Sequence, residues 1–379
     1  MKILFVCENY IPHYGGAEVV FKNLAEGYVK RGHEVTLLTH RIKGTKKKEL
    51  MNGVKVVRAP SLNSRYIFTF FSIFKAISLA KKHDIVQTTS FNGAPPAWLA
   101  AKLSKKPVVI TVHEVWINKW DKVTSFPWWK VKIHDLLERM IYGLSYDKYV
   151  CVSDATKKDL LKIGIKKEKV KRIYNGLEYQ FWNSDNFLDR NPKEIREKLG
   201  LKDKFVYFSW GRPGESKGYE YAIKAVPLIK EKIPNSIFVL MLSTKEKYKS
   251  KYGQLINLIK ILGLESDIKI IDPVLHLELG YYLRSFDCAL IPSLAEGFGY
   301  NATEATTLGI PVVVSNAGSL PEVVSGKYLI FESKNVKDLA GKVVKVYNKD
   351  FEETQIKRFE WSESIEGYLS TYEDLLNVG

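Results

Sequence analysis

Short apolar runs alternate with amphipathic segments along most of the chain, and the apolar runs are rich in β-branched residues. Such alternation is typical of α/β proteins, in which strands and helices follow one another. The runs are almost continuously apolar, as in a parallel sheet that is buried on both faces. The predicted strands of the first half are KILFVC, EVTLLT, VKVVRA, DIVQTT, PVVITV, YVCVS and VKRIY.

The same pattern restarts in the second half of the chain. Helical segments such as YEYAIKAVPLIKEK and DLAGKVVKVYNK separate the apolar runs there. Two doubly wound α/β domains in tandem are the simplest interpretation. The predicted strands of the second half are FVYFSW, SIFVLML, IKII, CALIPS, PVVVS and YLIF.

The segment NGLEYQFWNSDNFLDRNPKEIREKLG, between the two sets of strands, predicts the domain boundary. It begins with an Asn-Gly turn dipeptide and is polar and irregular. We therefore predict an N-terminal domain over residues 1–178 and a C-terminal domain over residues 179–357. Residues 358–379 predict an amphipathic helix, capped by Ser362, that packs back on the N-terminal domain.

Length and composition agree with a folded protein of two domains. The 379 residues exceed the roughly 250 to 300 at which single cores stop growing, and apolar and charged residues make up 45% and 26%. The three cysteines are far apart and odd in number, which indicates neither a disulfide framework nor a zinc site and predicts a reducing compartment. The start MKILFVCENY predicts a buried strand in place of a secretion signal, and no run reaches the roughly 18 apolar residues of a membrane span. We expect a cytoplasmic protein.

The excess positive charge is confined to the first half of the chain. Residues 1–180 contain 32 Lys and Arg against 15 Asp and Glu, whereas residues 181–379 contain 26 against 27. A field of one sign on one domain attracts anionic partners, such as acidic lipid, nucleic acid or a phosphorylated substrate. A solvated basic surface that keeps the protein soluble is the alternative.

Two segments of the basic half combine aromatic residues with lysines. They are SRYIFTFFSIFKAISLAKK, residues 64–82, and INKWDKVTSFPWWKVKIHD, residues 117–135. Both could lie on an anionic bilayer with their basic residues at the headgroups. The alternative, equally favoured, is that the phenylalanines of the first segment pack one helix into the core. These phenylalanines are Phe68, Phe70, Phe71 and Phe74.

Loops that leave the carboxyl ends of strands are the expected ligand sites of open α/β sheets. Gly15 and Gly16 follow the first strand and precede a helix, where backbone amides favour an anion, although a tight turn would use the same residues. In the second domain, FVYFSW runs into GRPGESKG, in which Arg212 and Lys217 flank a glycine turn. Two cations on such a loop suit a diphosphate, and solvated surface charges are the alternative.

The stretch EGFGYNATE combines two carboxylates with glycines. CALIPS predicts the preceding strand and YNATEATTLG a short helix closed by Gly309, so Glu296 lies in the loop and Glu304 about two turns along the helix. Exposed amides at residues 297–299 suit an oxyanion, and the flanking carboxylates suit hydroxyl groups. A ligand with hydroxyls on both sides of a phosphate is a nucleotide sugar. Alternatively, Glu296 complements the helix dipole and Glu304 is a surface residue.

The segment EGFGYNATEATTLGIPVVVSNAGSLPEVV resembles the donor-binding signature of the retaining glycosyltransferases of family four. That family has the GT-B fold, in which two Rossmann-like domains face each other across a cleft. The resemblance spans nearly the whole chain, and its pieces follow the family's order. The other pieces are NYIPHYGGAEVVFKNLAEGYVKRGHEVTLLT, TVHEVW, VSDATKKDLLKIG, IYNGLEYQFW, WGRPGESKGYEYAIKA and FEWSESIEGYLSTYEDL.

The resemblance implies roles for the residues that match it. Glu304 would hold the ribose hydroxyls and Glu296 those of the donor sugar, with the backbone of residues 297–299 beside sugar and phosphate. Arg212 and Lys217 would clamp the diphosphate. The implied donor-binding residues are Gly15, Gly16, Arg212, Lys217, Glu296, Gly297, Phe298, Gly299, Tyr300 and Glu304.

The N-terminal domain would contribute to the same chemistry. The resemblance implies that Gly15 and Gly16 cover the diphosphate and that His113 lies near C6 of the sugar at the reaction centre. The family often has His-Asp where this chain has His113-Glu114, and a histidine that only shapes the acceptor pocket is the alternative. The implied catalytic residues are His113, Glu296, Arg212 and Lys217.

The function implied is the retaining transfer of a hexose-type sugar from a nucleoside diphosphate sugar to a hydroxyl of a glycan or lipid-linked acceptor. We expect uridine or guanosine diphosphate as the carrier, and no further cofactor. Metal-independent transfer is expected because cations neutralise the leaving diphosphate and the aspartate pairs that hold divalent ions on phosphates are lacking. The resemblance favours same-face substitution. The basic domain makes the inner face of the cell membrane a candidate peripheral location.

Other functions fit parts of the pattern. A nucleotide-sugar epimerase or a glycogen-type synthase would share the fold. The Gly-x-Gly-x-x-Gly turn of a nicotinamide-dependent oxidoreductase is absent from this sequence. A hydrolase would need two carboxylates that face each other across a cleft, whereas Glu296 and Glu304 flank the start of one helix. A non-enzymatic binder of anionic polymers would use the basic half, but no compact recognition motif is present, so nucleic acid is not expected as a partner.

Overall fold

The computed structural model describes residues 1–13, 15–62, 64–243 and 248–377 and divides into two compact units. The last two residues of the predicted C-terminal helix, 378–379, therefore lie outside the described residues. The N-terminal unit comprises Met1–Asp121, Phe126–Gly176 and Phe359–Gly379. The C-terminal unit comprises Lys122–Ser125 and Leu177–Arg358.

The N-terminal unit is built on an eight-stranded sheet. Its strands are β1 (Lys2–Val6), β2 (Glu34–His40), β3 (Lys48–Met51), β4 (Val54–Ala59), β5 (Ile85–Thr89), β6 (Val108–Val112), β7 (Lys148–Cys151) and β8 (Val170–Arg172). The order across the sheet is β3-β4-β2-β1-β5-β6-β7-β8, and every pair except β3–β4 is parallel. The helices of this part of the chain are α1 (Gly16–Lys30), α2 (Arg65–Phe71), α3 (Ile73–Ala80), α4 (Ala94–Leu103), α5 (Trp120–Val123), α6 (Trp128–Gly143) and α7 (Asp154–Lys162).

The C-terminal unit has a sheet of seven strands. They are β9 (Phe205–Gly211), β10 (Ser236–Leu242), β11 (Ile268–Ile271), β12 (Cys288–Ile291), β13 (Val312–Ser315), β14 (Lys327–Phe331) and β15 (Glu352–Glu353). Their order is β11-β10-β9-β12-β13-β14-β15, and only β14–β15 is antiparallel among these pairs. The remaining helices are α8 (Tyr179–Trp182), α9 (Pro192–Lys198), α10 (Tyr219–Lys232), α11 (Lys249–Ile261), α12 (His276–Arg284), α13 (Tyr300–Thr307), α14 (Leu320–Val323), α15 (Val336–Tyr347) and α16 (Trp361–Asn377).

The last helix, α16, belongs to the N-terminal unit and packs on α1. At the contact, a Cβ on Gly27 would lie 2.2 Å from the Ile365 side chain, so a larger residue there would force that side chain to move. The hydroxyl groups of Tyr28 and Tyr372 are 3.2 Å apart and share a hydrogen bond in the buried interface. The chain thus returns to its first unit after Arg358 and completes one face of that sheet.

The predicted α/β class with two doubly wound domains is confirmed, and every predicted strand is present. Strands β3 and β15 were not predicted, because short, charged edge strands lack the apolar run that marks a buried strand. The linker predicted to be irregular contains α8, a 3₁₀ turn at Ser184–Phe187, and α9. The predicted cap at Ser362 is wrong, because α16 already begins at Trp361.

The three cysteines are buried and unpaired. Within the part of the chain that the structure describes, no helix is long and apolar enough to cross a membrane.

Candidate functional site

The carboxyl ends of β9 and β12 form the switch point of the C-terminal sheet. From β9 the chain proceeds through β10 to β11 on one side, and β12 then pairs on the other side of β9. Connections leave in opposite directions at such a point, and the resulting crevice is where open α/β sheets bind ligands. The loop with Arg212 and Lys217 follows β9, and the loop with Glu296 follows β12. The topology therefore brings together two segments that are about eighty residues apart in sequence.

The β9 loop is held tightly against the β12 loop. It contains a 3₁₀ turn, Glu215–Lys217, and ends at Gly218, whose φ of 64° is left-handed. A Cβ on Gly218 would lie 2.1 Å from the carbonyl oxygen of Pro292, so the close approach requires glycine. The backbone N–H of Leu294 donates to the carbonyl of Ser216 at 2.6 Å. These contacts fix the position of Lys217 relative to Glu296.

Lys217 and Glu296 form an ion pair at the centre of the switch point. The Lys217 Nζ is 2.8 Å from Glu296 Oε2, and the Ser293 hydroxyl donates to the same oxygen at 3.2 Å. The side chains of Lys217 and Glu296 are only 23% and 17% exposed. Neither residue is therefore a solvated surface charge. Arg212, in contrast, is exposed, and among the described residues its guanidinium has no ion-pair partner.

The backbone of Glu296 is anchored by the loop that follows β13. The backbone N–H and the hydroxyl of Ser319 donate to the Glu296 carbonyl at 3.0 and 3.1 Å. Gly318, with a φ of 56°, passes so close that a Cβ there would lie 2.2 Å from the same carbonyl oxygen. The carboxylate of Glu296 thus projects from a rigid support.

Residues 297–299 do not have the exposed amides that we expected. Gly297, Phe298 and Gly299 are all buried, and at Gly299 a Cβ would lie 3.0 and 3.2 Å from the side chains of Leu320 and Val323 in α14. Gly299 has a φ of 92° and is the N-cap of α13, so it has no side chain that could occupy the first-turn amides. Tyr300 begins α13, and its ring lies 5.0 Å from that of Phe298. Contacts of these residues with a donor stay a prediction.

Glu304 lies on α13 beside the end of β9. The Trp210 side chain lies close enough to its carboxyl group to lower its pKa, and Asn301, one turn earlier, donates to the Trp210 carbonyl at 2.9 Å. Burial raises the pKa of Glu304 to about 8, against the opposing effects of the Trp210 hydrogen bond and the Lys217 charge. At neutral pH this carboxyl group is therefore mainly protonated.

The remaining predicted residues belong to the N-terminal unit. Gly15 is the N-cap of α1 and Gly16 its first residue, as predicted from the sequence. His113 follows β6, with its ring 5.8 Å from that of Phe21. Burial lowers the pKa of His113 to about 4, so its imidazole is neutral at pH 7. Within the described chain, the buried Nε2 of His113 has no hydrogen-bond partner, as expected for a group that meets a ligand.

Four residues that surround the two glutamates were missed by the sequence argument. Ser293 donates to the Glu296 carboxylate and Ser319 to the Glu296 backbone carbonyl, whereas Trp210 lowers the pKa of Glu304 and Asn301 donates to the Trp210 carbonyl. Trp210 could have been found from the sequence. It has an indole N–H donor and lies at the carboxyl end of a central strand, which is the same criterion that selected Arg212. No sequence pattern around Ser293 or Ser319 marks either residue as part of a site. From the sequence we also expect the nucleotide base near the loops around residues 243–250 and 272–276. The second of these segments runs from the end of β11 to the start of α12, and the first lies partly outside the described residues.

Comparison with known proteins gives matches over most of the chain. The model of Glycosyltransferase Family 4 matches residues 14–181, and that of Glycosyl transferases group 1 matches residues 191–363. The uncharacterized glycosyltransferase MJ1607 of Methanocaldococcus jannaschii is 29% identical over 86% of this chain and 83% of its own. The GPI3 subunit of the phosphatidylinositol N-acetylglucosaminyltransferase of Saccharomyces cerevisiae is 22% identical over 99% of this chain and 83% of its own.

Solved structures share the fold. The Anabaena protein Alr3699/HepE, crystallised in complex with UDP and glucose, superposes with a TM-score of 0.72 at 20% identity. The match covers 99% of this chain and 100% of that protein.

Proposed function

This chain is a glycosyltransferase of the GT-B fold, with the family 4 and group 1 domains in that order, and from this premise we propose that it uses a nucleoside diphosphate sugar as donor. A hexose-type sugar is transferred, with retention at the anomeric carbon, to a hydroxyl group of a glycan or lipid-linked acceptor. The retaining outcome rests on the resemblance to family four. The lipid-linked alternative is supported by the name of the yeast relative, whose acceptor is a phosphatidylinositol.

One observation supports this donor class above the others. A half-buried cation, Lys217, interacts with two partly buried carboxyl groups, Glu296 and Glu304, at the switch point of the C-terminal sheet. Glu296 is bonded to the cation, and Glu304 is close enough for its pKa to be lowered by the same charge. Two carboxyl groups that can accept from hydroxyl groups, together with a positive charge that acts on both, suit a ligand that combines ribose, diphosphate and sugar.

The ion pair suggests how sugar and phosphate recognition are coupled. An ammonium group has three N–H donors, so Lys217 can keep Glu296 and still donate to a diphosphate oxygen. Glu296, held by Lys217, Ser293 and Ser319, then accepts from the donor sugar's hydroxyl groups. A misplaced sugar would disturb the lysine that binds the leaving group. Arg212, exposed beside this pair, supplies a second cation when the donor is bound.

The bond that breaks lies between the anomeric carbon and the diphosphate. Negative charge develops on the diphosphate, and Lys217 and Arg212 stabilise it most where water is excluded. We propose that these cations take the place of a divalent ion. His113, neutral because of its lowered pKa, has a hydrogen-bonding role and no proton to give at pH 7. The roles of His113, Gly15 and Gly16 toward the donor rest on the resemblance alone.

The donor class is tested by a thermal-shift panel in the presence of a metal chelator. The glucose conjugates of uridine, guanosine and adenosine diphosphate are compared, with NADH and a single-stranded DNA oligonucleotide representing the rival functions. We expect at least one sugar nucleotide to raise the melting temperature, because a ligand at 100 times its Kd stabilises by about 2.7 kcal/mol. Stabilisation by NADH or DNA without any sugar nucleotide would refute the proposal, and stabilisation that needs added Mg²⁺ would refute its metal-independent part.

A further inference from the structure

Helix α6 of the N-terminal unit turns its apolar residues toward solvent. The outward residues recur at helical spacing and form one stripe along about three turns. Each is about half exposed or more, with exposed fractions between 47% and 61%. They are Trp129, Ile133, Leu136, Leu137 and Met140. A surface helix that packs on a core normally shows the opposite arrangement.

The opposite face of α6 carries acidic residues whose hydrogen bonds fix this orientation. Glu138 is 5% exposed and accepts from the Trp116 backbone N–H and from the Trp120 indole N–H, both at 2.8 Å. Asp135 accepts from the Asn118 backbone N–H at 2.6 Å. Rolling the stripe inward would leave these donors and a buried carboxyl group unpaired, which is costly. The outward stripe is therefore a stable feature of the fold.

Helices α2 and α3 present further apolar residues to solvent. Phe70, Phe71 and Phe74 are 70%, 62% and 84% exposed, whereas Phe68 is fully buried. The interpretation of these phenylalanines as core packing of one helix thus holds only for Phe68, and the segment is two helices broken at Ser72.

The two outward sets lie on the same face of the sheet. The chain crosses from β4 through α3 to β5, through α4 to β6 and through α6 to β7, always toward the same edge of the sheet. Right-handed crossovers in one direction put their helices on one face. Buried residues of α2, α3, α4 and α6, among them Phe68 and Tyr142, accordingly share one core cluster. We call the eight outward residues of α2, α3 and α6 the apolar face.

Positive charge surrounds the apolar face. Residues 50–83, which include α2 and α3, contain six Lys and Arg and no Asp or Glu. Helix α6 carries Lys130, Lys132 and Arg139, and its two acids are Asp135 and Glu138, which bond to the loop beneath. A partner that covers this face must combine apolar contacts with negative charge.

We propose that the apolar face docks on an anionic lipid bilayer. The aromatic and aliphatic side chains would enter the boundary between headgroups and acyl chains, with the lysines at the headgroup phosphates. A second copy of this chain fits poorly, because two basic surfaces would be brought together. Nucleic acid supplies the charge but no apolar surface of this kind. The proposal concerns binding alone and stands independently of the transfer reaction.

Vesicle flotation tests the proposal with a matched pair of triple variants. One replaces Phe74, Ile133 and Leu137 of the apolar face with Ser. The control replaces three exposed residues of the C-terminal unit with Ser. They are Ile261, Leu275 and Leu277, whose side chains are 71%, 71% and 68% exposed. All six side chains are exposed, so both variants are expected to fold, and their melting temperatures verify this. Vesicles of phosphatidylcholine with and without phosphatidylglycerol are compared at low and high salt.

We expect the wild-type protein and the control to bind anionic vesicles at low salt, at least tenfold more tightly than neutral ones. The Phe74, Ile133 and Leu137 variant should bind at least tenfold more weakly than the control. Brominated lipids should quench the tryptophan fluorescence of the unaltered protein, an independent measure that needs no variant. Absence of wild-type binding, equal binding by both variants, or a dimer that only the first variant loses would each overturn the proposal.

Discussion

Replacing Lys217 with Ala should lower the turnover of glycosyl transfer by on the order of 10² to 10³, by analogy with the loss of one preorganised donor to a developing anion. Two effects combine at this position. The leaving diphosphate loses a cation, and Glu296 loses the partner 2.8 Å away that orients it toward the donor sugar. The measurement is the rate of nucleoside diphosphate release with donor and acceptor present.

A second lysine of the same unit provides the control. Lys230 pairs with Asp267 at 2.9 Å and is similarly sheltered, at 34% exposed, but it lies on α10 away from the switch point. The Lys230→Ala variant should lose a comparable ion pair and keep its turnover. If Lys217→Ala and Lys230→Ala transfer sugar equally fast, the assignment of Lys217 to the leaving group is wrong.

Replacing Glu304 with Ala should weaken donor binding by about 10² or more, because two hydrogen bonds to a charged acceptor are lost. The direction in which donor affinity changes with pH follows from the environment of Glu304. Burial holds the pKa of Glu304 at about 8, so near pH 7 the carboxyl group is mainly protonated. Ribose hydroxyl groups that donate to it favour the ionised form and lower that pKa.

Donor binding at pH 7 should therefore release close to one proton, and affinity should rise as the pH increases from 6 to 8 and then level off. Titration calorimetry in two buffers with different ionisation enthalpies measures the released protons. The Glu304→Gln variant keeps the shape of the neutral form, so it should bind more weakly and release none. Proton release by that variant equal to that of the wild type would exclude Glu304 as the source.

The strands could be predicted because parallel strands buried on both faces give short, almost continuous apolar runs. Where that cause is absent, as in the charged edge strands β3 and β15, prediction failed. The individual members of the site could also be found, since Arg212, Lys217 and Glu296 each follow a predicted strand. Their position at the ends of strands is a local property of the sequence.

The bonds between these residues could not be predicted in this way. Lys217 and Glu296 are 79 residues apart, and their pairing depends on β9 and β12 being neighbours in the sheet. The support of Glu296 by Gly318 and Ser319 comes from yet another strand end. The burial of Gly299 has the same origin, since Leu320 and Val323 of α14 lie against it. Likewise, the apolar residues of α6 look the same in sequence whether they face the core or solvent, and the contacts of Glu138 decide between these orientations.

The central claim is that the C-terminal unit binds a nucleoside diphosphate sugar with a lysine at its diphosphate and a carboxyl group at its ribose. A crystal structure with the donor bound, chosen from the thermal-shift panel, measures this most directly. The account predicts a diphosphate oxygen at hydrogen-bond distance, about 2.7 to 3.2 Å, from the Lys217 Nζ, and ribose hydroxyl groups at the same distance from the Glu304 carboxylate. A donor bound elsewhere, with the Lys217–Glu296 pair untouched, would contradict it.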